Sequence, residues 1–191
     1  MGSYASQRRS ECVIAIDGPA ASGKSSVARE LARRLGFIYV NSGAIYRAIT
    51  WHLLQQTIRP EENDRVADTL DSTVLTCAVE DGESRIMVDN IDPAEHLRDD
   101  RVNECVSRVS RLPQVRHIVS QKLRDCAHGH DVLVEGRDIG SVFFPSTPYK
   151  FYIDSSPELR RQRRAAQGER DKLPAEAHGG LSRRVSAPDG G

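Results

Sequence analysis

The sequence has no excess of either charge: 27 Lys and Arg balance 27 Asp and Glu. Chains that coat nucleic acid usually carry a basic surplus, so a polymer-binding role is set aside. It has no apolar run near the ~20 residues that a bilayer-spanning helix needs, so no membrane association is expected. The opening Met1-Gly-Ser-Tyr-Ala-Ser-Gln-Arg-Arg-Ser10 lacks the apolar centre of a secretory signal. Gly2 and Ser6 fit only the loose myristoylation pattern, and residues 1–11 are read as a flexible tail. The four cysteines, at 12, 77, 105 and 126, include no C-x-x-C pair. That fits a reducing cytoplasm better than a disulfide framework. Cys12 is expected to be a small buried hydrophobe in a central strand. The pair His128 and His130 reads as a surface turn rather than a metal site. A length of 191 residues suits one sizeable core.

What is present is organised around one loop. Cys12 to Ile16 is a short β-branched apolar run, read as a buried strand. Gly18-Pro19-Ala20-Ala21-Ser22-Gly23-Lys24-Ser25 then matches G-x-x-x-x-G-K-[ST]. Val27, Leu31 and Leu35 follow at helical spacing, with Ala28 and Ala32 beside them. Strand, loop and helix thus come in the order a phosphate cradle requires. Backbone N–H groups at a helix N-terminus point at an anion. Gly18 and Gly23 allow close backbone approach. Lys24 would reach the β- and γ-phosphates of ATP, and Ser25 would hold Mg²⁺ through its hydroxyl. Ser26 completes the candidate loop.

Further along, residues 37–41 read as a strand, followed by a helix from Ser42 with Ile45, Ile49 and Leu53 on one face. Val74–Val79 and Arg85–Val88 flank Asp81-Gly82 and predict a hairpin. Residues 63–103 are read as a small β-rich insertion between two core segments, 12–62 and 104–165. Val102 to Ala127 is helical with a break at Leu112-Pro113. Asp131–Glu135 and Lys150–Asp154 are two more strands. Strands alternating with helices predict an α/β fold: a doubly wound parallel sheet with helices on both faces. Ligands in such sheets bind at the carboxyl ends of the strands. Asp17-Gly18, Asn41-Ser42, Glu135 to Asp138 and Asp154-Ser155 all follow strand ends, and are expected to converge.

Ser155-Ser156-Pro157 starts a helix bearing Arg160, Arg161, Arg163 and Arg164. The helix is read as a lid whose arginines, Arg160 among them, meet the triphosphate. Residues 166–191 read as an atypical polar tail. No apolar strand or helix follows Tyr152, although a sheet of this class is expected to close with one more strand and helix.

A phosphoryl acceptor needs cations to hold it and a pocket to read it. Arg47, Arg116 and Arg137 are candidates for the first, and Ser42, Ser107 and Asp138 for the second. Each alone would serve equally as a surface or capping residue. Taken together, Ile16–Ser25, Asn41-Ser-Gly-Ala-Ile-Tyr-Arg47, Val106-Ser-Arg-Val-Ser-Arg-Leu-Pro-Gln-Val-Arg116 and Glu135-Gly-Arg-Asp-Ile-Gly140 resemble bacterial cytidylate kinases in order and spacing. The likeness runs from residue 12 to about residue 165.

That resemblance implies the P-loop kinase fold and transfer of phosphate from ATP, with Mg²⁺, to CMP or dCMP. Arg47 and Arg137 would grip the monophosphate and Tyr46 would lie against the base. Ser107, Arg116 and Asp138 would read the cytosine edge, and Arg184 would match a phosphate-binding arginine in the tail. The ribose-holding Arg and Asp of the family align with Ala177 and Leu181, and Asp189 stands where a leucine is usual. A cytoplasmic monomer acting on free nucleotides is expected. The alternatives are another small-molecule P-loop kinase, or a nucleotide-binding chain inactivated by its altered tail.

Overall fold

A central strand flanked on both sides by parallel neighbours sets the architecture. In the computed structural model, residues 11–171 are described, the last five by their backbone alone. β1 (Val13–Asp17) runs parallel to β5 (Val132–Gly136) on one side and to β6 (Tyr149–Tyr152) on the other. β2 (Ile38–Asn41) lies beyond β5, also parallel. A hairpin, β3 (Leu75–Glu80) and β4 (Glu83–Val88), completes a six-stranded sheet in the order β3-β4-β2-β5-β1-β6. β4 joins β2 in parallel at a single register pair, Tyr39 with Glu83. The hairpin therefore extends the central sheet. Asp81 and Gly82 both take positive φ at its turn, 51° and 76°, as the sequence pair requires.

Alternation along the strands sends side chains to two cores. Ile14, Ile16, Tyr39 and Leu133 face α1 (Lys24–Leu35). Ala15, Val40, Val132 and Val134 face α2 (Ser42–Gln55), α4 (Asp100–Val109) and α5 (Pro113–Ala127). Helices thus cover both faces of the sheet, as expected. Ile45, Ile49 and Leu53 are fully buried on α2, and Pro113 opens α5, where a missing N–H costs nothing.

Three local expectations change. On α1 the sheet-facing residues are Ala28 and Ala32, while Val27 and Leu35 stay 49% and 47% exposed. Of the expected apolar period only Leu31 packs against the same core, half-buried. Residues 63–72 form a helix, α3, whose buried contacts are only Val66 and Leu70. Its remaining residues are mostly polar, which hides the period. Cys12 precedes β1 and is only half-buried, and Cys77 on β3 is joined to Cys126 at the end of α5 by a disulfide. Spacing along the chain carries no trace of that pairing; only the packing of α5 against β3 brings the two together.

Residues from Ser155 form a second compact unit, distinct from the one ending at Asp154. Its described element is α6 (Pro157–Asp171). Ser156 caps it, accepting from Leu159 N at 3.3 Å, and Arg161 pairs with Glu158 one turn back. No helix among the described residues is long and apolar enough to cross a membrane. Residues 1–10 and 172–191, which include Arg184, Ala177, Leu181 and Asp189, lie outside the described residues.

Candidate active site

The glycine loop leaves the end of β1 and returns as the first turn of α1. Gly18 has φ 155°, and a Cβ there would sit 2.1 Å from the Ile153 carbonyl at the end of β6. Glycine is required at this position by the approach of a neighbouring backbone. Ala21 takes φ 61° and Gly23 φ 98°, so the chain curls before the helix starts. Ser22 N donates to Pro19 O at 3.4 Å. Pro19, Ala20 and Ala21 are partly exposed on the loop, Ser22 is buried, and Ser26 is exposed on α1. α1 begins with no acidic residue in its first turn, which leaves its N–H groups and positive dipole end to an anion.

Lys24 reaches back over the loop, its Nζ donating to Pro19 O at 3.2 Å. Burial pushes its pKa below the ordinary lysine range. The charge of Arg137 pushes it further down, while the carboxylates of Glu135 and Asp17 pull it up. These couplings bring Lys24, Arg137, Glu135 and Asp17 together at the carboxyl edge of the sheet. Arg137 itself is exposed just past β5.

Glu135 is 2% exposed. It accepts from Ser25 Oγ at 3.0 Å and from Tyr39 Oη at 2.5 Å. With its proton directed at Glu135, Ser25 keeps its lone pairs for a cation. An all-oxygen donor set of this kind suits a hard ion such as Mg²⁺, which binds through one or two protein groups plus substrate phosphates. No cluster of three or more His, Cys, Asp or Glu ligands occurs among the described residues. Ser25 would hold such an ion, with Glu135 behind it. Asp17 anchors the opposite wall, accepting from Ile139 N at 2.7 Å and Gly140 N at 2.9 Å. Those amides open one turn of π-helix, Ile139–Phe143, closed by Phe144 N donating to Ile139 O at 2.7 Å.

Beside this lies a second polar group. Arg116 on α5 donates to Asp138 Oδ2 at 2.6 Å and stacks over Phe143 at 5.3 Å. Tyr46 on α2 is 9% exposed, and its buried hydroxyl has no hydrogen-bond partner among the described residues. Burial raises its pKa, and the charges of both Arg116 and Asp138 act on it. Three sequence candidates thus meet here. Ser42 is buried and donates to Glu135 O at 2.8 Å, so it ties β5 to α2 and offers a ligand only lone pairs. Arg47 donates to Leu97 O at 2.8 Å and Asn103 Oδ1 at 2.6 Å. It is half-buried and pins α2 to the segment before α4. Ser107 is exposed on α4. Arg160 belongs to the second unit, where its Nη1 donates to Ser155 O at 2.6 Å.

Sequence reading placed Asp17 and Glu135 among the strand-end groups expected to converge but gave neither a role, and it did not single out Tyr39. Tyr39 gives no signal, since an aromatic in a strand reads as core.

A lysine and a serine at the first turn of a helix springing from the central parallel strand define a protein of the P-loop kinase class. Comparison with known sequences narrows this. The sequence pattern of cytidylate kinase matches residues 14–189, and the chain belongs to the cytidylate kinase family.

It is 42% identical over 151 residues to a cytidylate kinase of Caldanaerobacter subterraneus subsp. tengcongensis, taking in 79% of this chain and 66% of that protein. A cytidylate kinase of Rhodococcus opacus is 39% identical over 160 residues, covering 83% of this chain and 69% of its own length. One of Symbiobacterium thermophilum is 40% identical over 169 residues, covering 88% and 73%. The matched part of the chain spans about two thirds of the length of these relatives.

Proposed function

We propose that this chain transfers the terminal phosphoryl group of ATP to CMP or dCMP, giving ADP and CDP or dCDP. The observation that carries the reading is the half-buried Arg116–Asp138 pair next to Tyr46. Cytosine presents an amino donor beside a ring nitrogen and a carbonyl that accept. A carboxylate takes the amino group, and a guanidinium can serve the acceptors. Uracil would place an oxygen against Asp138 and be repelled.

The acceptor phosphate has a second pKa near 6, so its attacking oxygen is ionised at neutral pH and no general base is needed. That oxygen forms a bond to the γ-phosphorus as the bond from γ-phosphorus to the β–γ bridging oxygen breaks. ADP leaves with the electron pair. Lys24 and the loop N–H groups hold the donor phosphates, while Arg47 and Arg137 hold the acceptor phosphate in line. Mg²⁺ at Ser25 would offset phosphate charge. The roles of Ser107 and Arg184 rest on the resemblance, and that of Arg160 on its place in the basic helix that follows β6. The same reading makes the protein a cytoplasmic monomer that acts on free nucleotides.

A turnover panel tests it. ADP release is followed with CMP, dCMP, UMP, AMP, GMP and shikimate as acceptors. CMP and dCMP are expected to be the fastest. ADP release that does not depend on CMP, or a faster rate with another acceptor, overturns the proposal.

A further inference from the structure

A line of polar contacts runs from the edge hairpin to the glycine loop. Glu83, first residue of β4, accepts from Arg29 Nε at 2.5 Å. The Arg29 guanidinium on α1 lies 4.8 Å over the Tyr39 ring. Tyr39, 3% exposed on β2, donates its hydroxyl to Glu135 Oε1, and Asn41 Nδ2 donates to that hydroxyl at 3.3 Å. The other carboxylate oxygen of Glu135 takes the Ser25 proton.

Packing alone does not ask for a tyrosine here, since phenylalanine would fill the same space against Leu133 and α1. What the hydroxyl adds is a donor for a carboxylate that is almost wholly withdrawn from water. A buried acceptor left without its partner turns toward another donor. Lys24 and Arg29 on α1 both feel the Glu135 charge. If Glu135 turned away from its present position, it would release the Ser25 hydroxyl.

We infer that Tyr39 is a positioning residue for the divalent ion: it clamps Glu135 so that the Ser25 hydroxyl keeps its lone pairs toward the metal, with Arg29 on α1 and Glu83 on the hairpin bracing it. This rests on the phosphoryl-transfer reading above. It adds a residue that touches neither nucleotide nor metal, and it ties metal binding to the edge of the sheet.

The test is calorimetric titration of ADP into the full chain, once with Mn²⁺ and once with EDTA. The gain in affinity on adding metal is the readout. In Tyr39→Phe that gain is expected to fall about 10-fold, as for other residues that orient a metal ligand, while metal-free ADP binding stays at the wild-type value. Arg29→Gln, on the exposed side of α1, is the second variant and is expected to lose part of the gain should Tyr39→Phe not fold. An undiminished gain in either folded variant overturns the inference, as does an equal loss of metal-free binding. Absence of any metal gain in the wild type overturns the phosphoryl-transfer reading with it. A wild-type gain that Tyr39→Phe retains sinks the inference alone.

Discussion

Arg116 and Asp138 meet at 2.6 Å, one on α5 and the other just past β5. Both are about one third exposed, so the pair is neither sealed in the core nor free on the surface. A partly exposed ion pair of this kind adds little to stability. Its edge-on donors and acceptor are suited to reading a base. Asp138→Ala is therefore expected to lower the CMP-over-UMP ratio of kcat/KM by about 10- to 100-fold, the cost of leaving a desolvated amino group unpaired. An unchanged ratio removes Asp138 from base recognition.

Lys24→Ala removes the one lysine that folds over the loop. Loss of a charge aimed at a developing anion costs about 100-fold or more in turnover. Steady-state ADP release with CMP should fall by at least that much while circular dichroism stays native. Near-wild-type turnover would dissociate the loop from catalysis.

The depressed pKa of Lys24 has a defined sign. Its charged form binds phosphate, so ADP affinity is full below the folded pKa and is lost as pH rises through it. Because burial and Arg137 lower that pKa, the loss should begin below the ordinary lysine range. In the nucleotide-free chain the unfolded state holds more protons across the same window, so this group's contribution to stability rises with pH there. Lys24→Arg keeps its charge at every such pH and should abolish the alkaline limb. ADP titrations across the alkaline range check this; identical limbs in both proteins contradict it.

Gly18→Ala is expected to destabilise the fold as well as the site. The new Cβ would lie 2.1 Å from the Ile153 carbonyl just past β6, which forces one of the two backbones to move. Overpacking of this kind costs about 1–3 kcal/mol, measurable by urea denaturation. A midpoint equal to wild type would show that the loop shifts freely.

The cysteines offer a chemical count. With Cys77 and Cys126 joined, Cys12 and Cys105 remain as thiols. Thiol titration of the unreduced chain in denaturant should find two groups and, after reduction, all four cysteines. Four groups before reduction would show the pair open in the purified protein.

Local chemistry decided what could be read directly. The loop from Gly18 to Ser25, the hairpin at Asp81-Gly82 and the helix opening at Pro113 each depend on residues adjacent in the chain. Their geometry therefore follows from residue type, and roles for Arg47, Arg116, Arg137 and Asp138 could be proposed from the family resemblance that their motifs carry. The polar helix α3, the Ala28–Ala32 contact face and the pairing of Cys77 with Cys126 were decided by neighbours distant in sequence. The same holds at the centre of the site. Tyr39 and Glu135 are 96 residues apart and meet because β2 and β5 run parallel in one register. A hydrogen bond needs its two atoms within about 3 Å, and only a folded sheet supplies that distance.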